Sequence, residues 1–219
     1  MRNDLTEIIC ILDASGSMGS IRDDMVGGFN TFIEEQKKLP GEAKITVIFF
    51  DSSRYIKWQD GVDIKKCPIL GQEYRPLGGT PLLDAVGRTI NEVGARLAAT
   101  PESARPGKVV VLIVTDGEEN SSHEFTLSHI KQMVQHQESK YSWTFSYLGA
   151  NVDSFCEAAS LGIQGCNTSN YTATPIGVRC MFSTYSNSLG SFRSGGKLDG
   201  LGGTIPEDPK SVTIARSSK

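Results

Sequence analysis

The chain has 219 residues, of which 38% are hydrophobic and 21% charged, and its formal net charge is −3. This length allows one large domain with a substantial buried core. A slightly acidic chain without a block of lysine and arginine argues against a nucleic-acid partner. Because the amino terminus lacks a long apolar segment and no stretch has the length of a membrane span, we expect a soluble cytoplasmic protein without a signal peptide or a membrane partner.

The first predicted element is a strand that ends in a polar motif. An unbroken apolar run, Ile8 to Leu12, is followed directly by Asp13-Ala-Ser15-Gly-Ser17. A run that is apolar at every position is typical of a strand buried on both faces, as in the middle of a parallel sheet. The aspartate and the two serines occupy alternate positions, so an extended turn would point their oxygens the same way. Ligands of open α/β sheets lie at the carboxyl ends of the strands, which makes this motif a candidate site.

The next elements are a helix and a hairpin. Apolar residues recur at helical spacing from about Ile21 to Lys38, and the breaker cluster at 39–41 ends this predicted helix. A strand over 45–50 and a turn at 51–53 lead into an alternating segment at 54–58. This pattern predicts a hairpin whose second strand forms an antiparallel edge.

Two further segments carry polar residues at the ends of predicted elements. Thr80 and Pro81 form a good N-cap and first residue for a second helix, whose apolar face continues to Leu97. A second all-apolar strand, 109–114, ends in Thr115-Asp116-Gly117. Taken singly, Thr80 could be only a cap and Asp116 only part of a turn.

The remaining chain predicts a helix over 125–137, a strand over 142–148, a short helix over 153–161, a weaker strand over 166–172 and a last helix capped by Thr174 and Pro175. Beyond Arg193 glycine, serine and lysine dominate, so we divide the chain into a domain, 1–193, and a poorly ordered tail, 194–219. Strands that alternate with helices predict a doubly wound α/β fold: a mostly parallel sheet with one antiparallel edge strand and helices on both faces.

Three loops thus bring candidate metal ligands to one end of the sheet. A hard cation such as Mg²⁺ takes oxygen ligands in near-octahedral geometry, often with few carboxylates and several waters. A zinc site would need histidine or cysteine, and none of the three histidines has suitable spacing. We therefore predict a site for Mg²⁺, with Mn²⁺ or Ca²⁺ as alternatives, formed by five residues: Asp13, Ser15, Ser17, Thr80 and Asp116.

This arrangement resembles the metal-ion-dependent adhesion site of von Willebrand factor A (VWA) domains. The family pattern is D-x-S-x-S, then a distant threonine, then a distant aspartate, and every position of it is filled here. The resemblance covers roughly residues 6–192. The segment Leu148-Gly-Ala-Asn-Val-Asp153 and the terminal helix are most similar to those of intracellular bacterial or phage members.

The resemblance implies a role for each ligand. Ser15 and Ser17 would bind the metal directly, Thr80 would bind it directly or through water, and Asp13 and Asp116 would act through bridging waters and hydrogen bonds. Neutral hydroxyl ligands leave much of the cation's charge uncompensated, so an open coordination position would attract an Asp or Glu side chain of a partner protein. We therefore expect a non-enzymatic interaction module. In bacterial relatives such domains often act as assembly factors beside an ATPase, kinase or phosphatase.

Two alternatives belong to other functional classes. The first is a metal-dependent phosphohydrolase with Asp13 as the nucleophile. Haloacid-dehalogenase-like phosphatases need a second aspartate two residues later, where this chain has Ser15, and no general base has suitable spacing. The second is a structural bacterial or phage component in which the metal only stabilises the loops. Such a protein would tolerate loss of the open coordination position.

Overall fold

A mixed β-sheet lies at the centre of the fold in a computed structural model, which describes residues 1–150 and 153–207. Within these residues the strands are β1 (Arg2–Asp13), β2 (Glu42–Asp51), β3 (Arg54–Asp63), β4 (Pro106–Thr115), β5 (Trp143–Ala150) and β6 (Thr168–Tyr171). They lie in the order β3-β2-β1-β4-β5-β6. Neighbouring strands are parallel except β2 and β3, whose antiparallel pairing places β3 at an edge.

Helices cover both faces of this sheet. They are α1 (Arg22–Lys38), α2 (Leu82–Ala99), α3 (Leu127–Tyr141), α4 (Ser154–Ser160) and α5 (Pro175–Arg193). The helices α1 and α5 pack on one face, and α2, α3 and α4 pack on the other. The predicted doubly wound α/β fold, with a mostly parallel sheet and one antiparallel edge strand, is confirmed.

The central strand β1 serves both hydrophobic layers. Ile8, Cys10 and Leu12 belong to the layer under α1 and α5, whereas Ile9 and Ile11 belong to the layer under α2, α3 and α4. Because successive side chains of a strand point to opposite faces, a strand between two layers has to be apolar at every position. Full burial of one such isoleucine or leucine stabilises the fold by about 1.5–3 kcal/mol.

Local chemistry sets several element bounds that differ from the predicted ones. The helix α3 starts two residues later than predicted because the hydroxyl of Thr126 accepts a hydrogen bond from the His129 amide at 3.3 Å and caps it there. The same helix continues beyond the predicted end at 137 and stops where Ser142 adopts a left-handed backbone, with φ of 56°. The helix α5 begins as predicted, since Thr174 accepts from the Gly177 amide at 3.0 Å.

Residues 194–207, the first part of the predicted tail, pack along β6. Backbone hydrogen bonds join Gly202 N to Thr168 O (2.8 Å) and Ile205 N to Asn170 O (2.8 Å). Leu198 and Ile205 are buried in the layer under α5. Residues 208–219 of the predicted tail lie outside the described residues, and the domain boundary at 193 stays a prediction. Among the residues that are described, no helix is long and apolar enough to cross a membrane.

Candidate metal centre

The candidate centre lies where β1 and β4 end. These strands pair in parallel, with Leu12 opposite Val114, so the loops that follow them begin side by side. Asp13 is the last residue of β1, and Asp116 directly follows the last residue of β4. Parallel pairing therefore brings together two carboxylates that are far apart in the sequence.

The third segment of the centre comes from the loop between β3 and α2. Two backbone hydrogen bonds attach this loop to the first segment: Gly16 N donates to Gly78 O at 2.9 Å, and Leu77 N donates to Ala14 O at 2.8 Å. Gly78 has φ of 71°, a left-handed conformation that favours glycine. These contacts deliver Thr80 to the same end of the sheet.

Asp13 is fully buried and both of its carboxylate oxygens are occupied. Its Oδ1 accepts from the Ser15 amide at 2.7 Å, and its Oδ2 accepts from Thr115 Oγ1 at 2.6 Å. The buried hydroxyl of Tyr74 also donates to the backbone carbonyl of Asp13. Burial raises the pKa of Asp13 to about 6, although the hydrogen bonds from Thr115 and Ser15 act in the opposite direction. Asp13 is thus held in a fixed orientation at the base of the centre.

Three of the other predicted ligands place their oxygens next to one another. Ser15 Oγ lies 3.1 Å from Ser17 Oγ, and Ser17 Oγ donates to Asp116 Oδ1 at 2.6 Å. The hydroxyl of Thr80 faces the same glycine, Gly117, as that of Ser17: a Cβ built on Gly117 would lie 3.4 Å from Thr80 Oγ1 and 3.7 Å from Ser17 Oγ. Burial raises the pKa of Asp116, although its hydrogen bond from Ser17 acts in the opposite direction. The structure therefore brings all five predicted residues to one site.

The kinds of oxygen gathered here suit a small divalent cation. A hard cation such as Mg²⁺ takes oxygen ligands, often few carboxylates together with waters, and Ser15 Oγ, Ser17 Oγ and Asp116 Oδ1 are joined in sequence by contacts of 3.1 Å and 2.6 Å. The part of the chain that the structure describes contains no group of three or more His, Cys, Asp and Glu side chains that could hold a metal. Hydroxyls with two carboxylates fit Mg²⁺ or Mn²⁺ better than zinc.

One side of the centre is open to solvent. Asp13, Ser15, Thr80 and Asp116 are buried, whereas Ser17, its neighbour Gly16 and Gly78 of the third segment are exposed. Leu77, next to Gly78, is 59% exposed. A side chain from another molecule can therefore approach the oxygens over Ser17.

The predicted capping role of Thr80 is wrong. The helix α2 begins at Leu82 with Pro81 at the N-cap position, and no side chain at that position caps it. The amide of Thr80 donates instead to Asn120 Oδ1 at 2.9 Å, and its carbonyl accepts from the Asn120 amide at 3.2 Å. The Thr80 hydroxyl does not cap α2 and is therefore available to the centre, while Asn120 holds the Thr80 backbone.

Sequence reasoning missed two residues that support the centre. Thr115 donates a hydrogen bond to Asp13. Its position at the end of a buried strand, directly before Asp116, could have identified it as a residue of the site. Tyr74 lies in an irregular loop, and no local pattern links it to Asp13, to which it donates across 61 positions of sequence. Asn151 and Val152, in the segment that most resembles bacterial and phage members, lie outside the described residues.

The geometry also bears on the alternative in which Asp13 is a nucleophile. An attacking carboxylate needs an oxygen that can reach the substrate. Both oxygens of Asp13 accept short hydrogen bonds, and the side chain has no exposed surface. This arrangement favours a supporting role for Asp13 over a covalent one.

Comparison with solved structures finds the same fold in VWA domains. The von Willebrand factor type A protein from Catenulispora acidiphila matches with a TM-score of 0.55 at 15% identity, over 85% of this chain and 43% of that one. Proximal thread matrix protein 1 from the mussel byssus, with a zinc-occupied MIDAS motif, matches with a TM-score of 0.58 at 16% identity, over 84% and 46%. Manganese-loaded TRAP protein from Plasmodium vivax matches with a TM-score of 0.54 at 13% identity, over 79% and 70%.

These similarities define the class of fold: the chain has the VWA fold, a Rossmann-like α/β sandwich. At such low identities they establish the fold alone. The chain spans less than half the length of the Catenulispora and mussel chains, at 43% and 46%. A scan against protein-family models and a search of curated proteins found no match.

Proposed function

We propose that this chain is a protein-interaction module that depends on a divalent metal ion. Its five site residues hold Mg²⁺, and an Asp or Glu side chain of a partner protein completes the coordination. The observation that carries the proposal is the convergence of oxygens from loops far apart in the sequence: Ser17 Oγ lies 3.1 Å from Ser15 Oγ and donates to Asp116 Oδ1 at 2.6 Å.

The charge of the site explains why the partner should be acidic. The chain offers two carboxylates, and both oxygens of Asp13 already accept hydrogen bonds from Ser15 and Thr115. The ligands proposed to bind the ion directly are neutral hydroxyls, so the ion keeps its affinity for a further anionic ligand at an open coordination position. The exposed side over Ser17 is where a carboxylate can approach. A carboxylate is also among the hard oxygen ligands that Mg²⁺ prefers.

Two solved structures with this fold contain a divalent metal. The mussel protein is described with a zinc-occupied MIDAS motif, and the Plasmodium protein as manganese-loaded. We propose Mg²⁺ for this chain on the chemistry of its own oxygens. From the resemblance to intracellular bacterial and phage members we also propose a cytoplasmic setting and a non-catalytic role, as an assembly factor beside an ATPase, kinase or phosphatase.

Calorimetric titration with Mg²⁺ and with Mn²⁺ tests the metal site. Ser17→Ala removes a predicted ligand, whereas Ser20→Ala is a matched control on the same short turn, where the Ser20 hydroxyl reaches only the Ser17 carbonyl at 3.3 Å. We expect the wild type to bind one ion, Ser17→Ala to lose about tenfold or more in affinity, and Ser20→Ala to keep it. Equal affinities in all three proteins would refute the site.

Pull-down from the native host tests the interaction. The baits are the wild type and Asp13→Ala, each in Mg²⁺ or in EDTA, and circular dichroism checks that the variant folds. We expect a partner that only the wild type in Mg²⁺ retains, and that added acetate releases while chloride at equal ionic strength does not. Retention by both baits under both conditions would place the binding surface elsewhere on the protein.

A further inference from the structure

Thr80 differs from the other site residues because the segment that carries it does not come directly after a strand. The Asp13 and Asp116 segments are held by parallel pairing of β1 with β4, but Thr80 lies between an irregular loop and α2. A ligand oxygen has to be fixed to within a fraction of an ångström, which requires support from the residues around it. The contacts on the side of α2 provide this support.

The first turn of α2 is capped by the loop between β4 and α3. The first amides of a helix have no acceptor inside the helix and need one elsewhere. Leu83 N donates to Glu119 Oε2 at 2.9 Å, and Asp84 N donates to Ser122 Oγ at 3.1 Å. The other oxygen of Glu119 accepts from the amides of Ser121 at 2.9 Å and Ser122 at 2.7 Å. Glu119 therefore joins the loop to the helix.

Asp84 makes the reciprocal connection from the helix to the loop. Its Oδ2 accepts from the His123 amide at 2.9 Å, and its Oδ1 accepts from the amides of Glu124 at 2.9 Å and Phe125 at 3.0 Å. The residue is 7% exposed. Burial by itself would raise the pKa of Asp84, but the three amides outweigh it and lower the pKa, so the carboxylate stays ionised.

We infer that Asp84 and Glu119 are positioning residues of the candidate metal centre, which bind the Asp116 loop to the first turn of α2 and thereby hold Thr80 in place. The hydrogen bonds of Asn120 to both the amide and the carbonyl of Thr80 are part of the same connection. The inference rests on the proposed function, since it concerns the same site. It predicts that metal affinity depends on two carboxylates that do not contact the metal.

Calorimetric titration of Mg²⁺ into Asp84→Asn tests this inference. The amide that replaces one carboxylate oxygen donates rather than accepts, so it opposes a backbone N–H of the loop. The control is Gln36→Ala on the opposite face of the sheet, which removes two buried hydrogen bonds to Ser186, each 3.0 Å long. Melting temperatures in EDTA show how far each variant is destabilised. We expect Asp84→Asn to weaken Mg²⁺ binding by about tenfold or more, and Gln36→Ala to leave it unchanged at a comparable loss of melting temperature.

The possible outcomes separate the inference from the proposed function. Wild-type affinity in Asp84→Asn, or an equal loss in Gln36→Ala, would overturn the inference while leaving the metal site intact. Absence of Mg²⁺ binding by the wild type would overturn both. If Asp84→Asn does not fold, Ser122→Ala takes its place, because it removes the acceptor of the Asp84 amide and a donor to Glu119. A several-fold weaker affinity supports the inference, and an unchanged one refutes it.

Discussion

Replacing Arg96 with methionine should strongly destabilise the domain, because it leaves a buried carboxylate without its cation. Glu7 lies in β1 and its side chain has no exposed surface, whereas that of Arg96, from α2, is 26% exposed. Arg96 Nη2 lies 2.7 Å from Glu7 Oε1, which also accepts from Thr46 Oγ1 at 3.0 Å. A second carboxylate, that of Asp60, lies 3.0 Å from Arg96 Nε. Methionine keeps much of the aliphatic length of arginine, so the change mainly removes charge.

The expected loss is about 3–5 kcal/mol in the free energy of unfolding, the usual effect of removing one partner from a buried ion pair. Glu7 Oε2 has no hydrogen-bond partner among the described residues, and Oε1 keeps only the neutral hydroxyl of Thr46, which does not supply the lost positive charge. For a domain of this size 1 kcal/mol corresponds to about 2–4 °C in melting temperature, and the melting temperature should fall by roughly 6–20 °C. Removing both charges, in Glu7→Gln with Arg96→Met, should restore most of the loss.

Urea unfolding followed by circular dichroism measures both variants against the wild type. Both variants lack the Arg96 guanidinium, so the difference between their free energies of unfolding measures the effect of leaving the Glu7 carboxylate buried without a cation. A loss below about 1 kcal/mol in Arg96→Met would show that the pair behaves like an exposed one. A double variant as unstable as the single one would show that lost packing of the arginine stem, not its charge, is responsible.

Three further predictions concern other parts of the fold and use the same unfolding measurement. In α2, a Cβ at Gly94 would meet open space, so Gly94→Ala should stabilise the domain by about 0.5–1 kcal/mol. On the same helix, Gly87→Ala would place its Cβ 2.5 Å from a ring carbon of Phe125 and should destabilise the domain by about 1–3 kcal/mol. Similar effects of both substitutions would refute this packing. Thr174→Ala removes the cap of α5 and should cost about 1 kcal/mol, while Thr174→Ser should cost less. The pKa of Asp84 is lowered from 3.8, so its stabilisation is present above that value and is lost as the pH falls through the folded-state pKa. The stability difference between wild type and Asp84→Asn should therefore be constant above about pH 5 and shrink below about pH 4; a difference that grows at low pH would contradict this.

Much of this protein could be predicted from the sequence, because the signals are local. The solid apolar runs of β1 and β4 identify central strands, since a strand covered on both faces must be apolar throughout. The order of strands and helices then restricts the chain to a doubly wound sheet. Asp13, Ser15 and Ser17 follow such a strand directly, and Asp116 follows the other, so parallel pairing was enough to predict that they meet. Thr174, in front of a proline, correctly identifies the start of α5.

The tertiary structure decided what depends on contacts between distant residues. The same cap signal that is right at Thr174 is wrong at Thr80, because a loop some 40 residues later caps α2 and leaves the threonine hydroxyl to the metal centre. Glu7 stands directly before the apolar run of the first predicted strand, and nothing local shows that Arg96, 89 positions away, neutralises it. The segment after Arg193 has few apolar residues, yet two of them are buried beside β6 once the sheet edge exists. Composition and spacing indicate which secondary structure and which degree of burial a residue favours. Its hydrogen-bond acceptor, its counter-ion and the side chains that bury it come from distant segments, which only the folded sheet brings beside it.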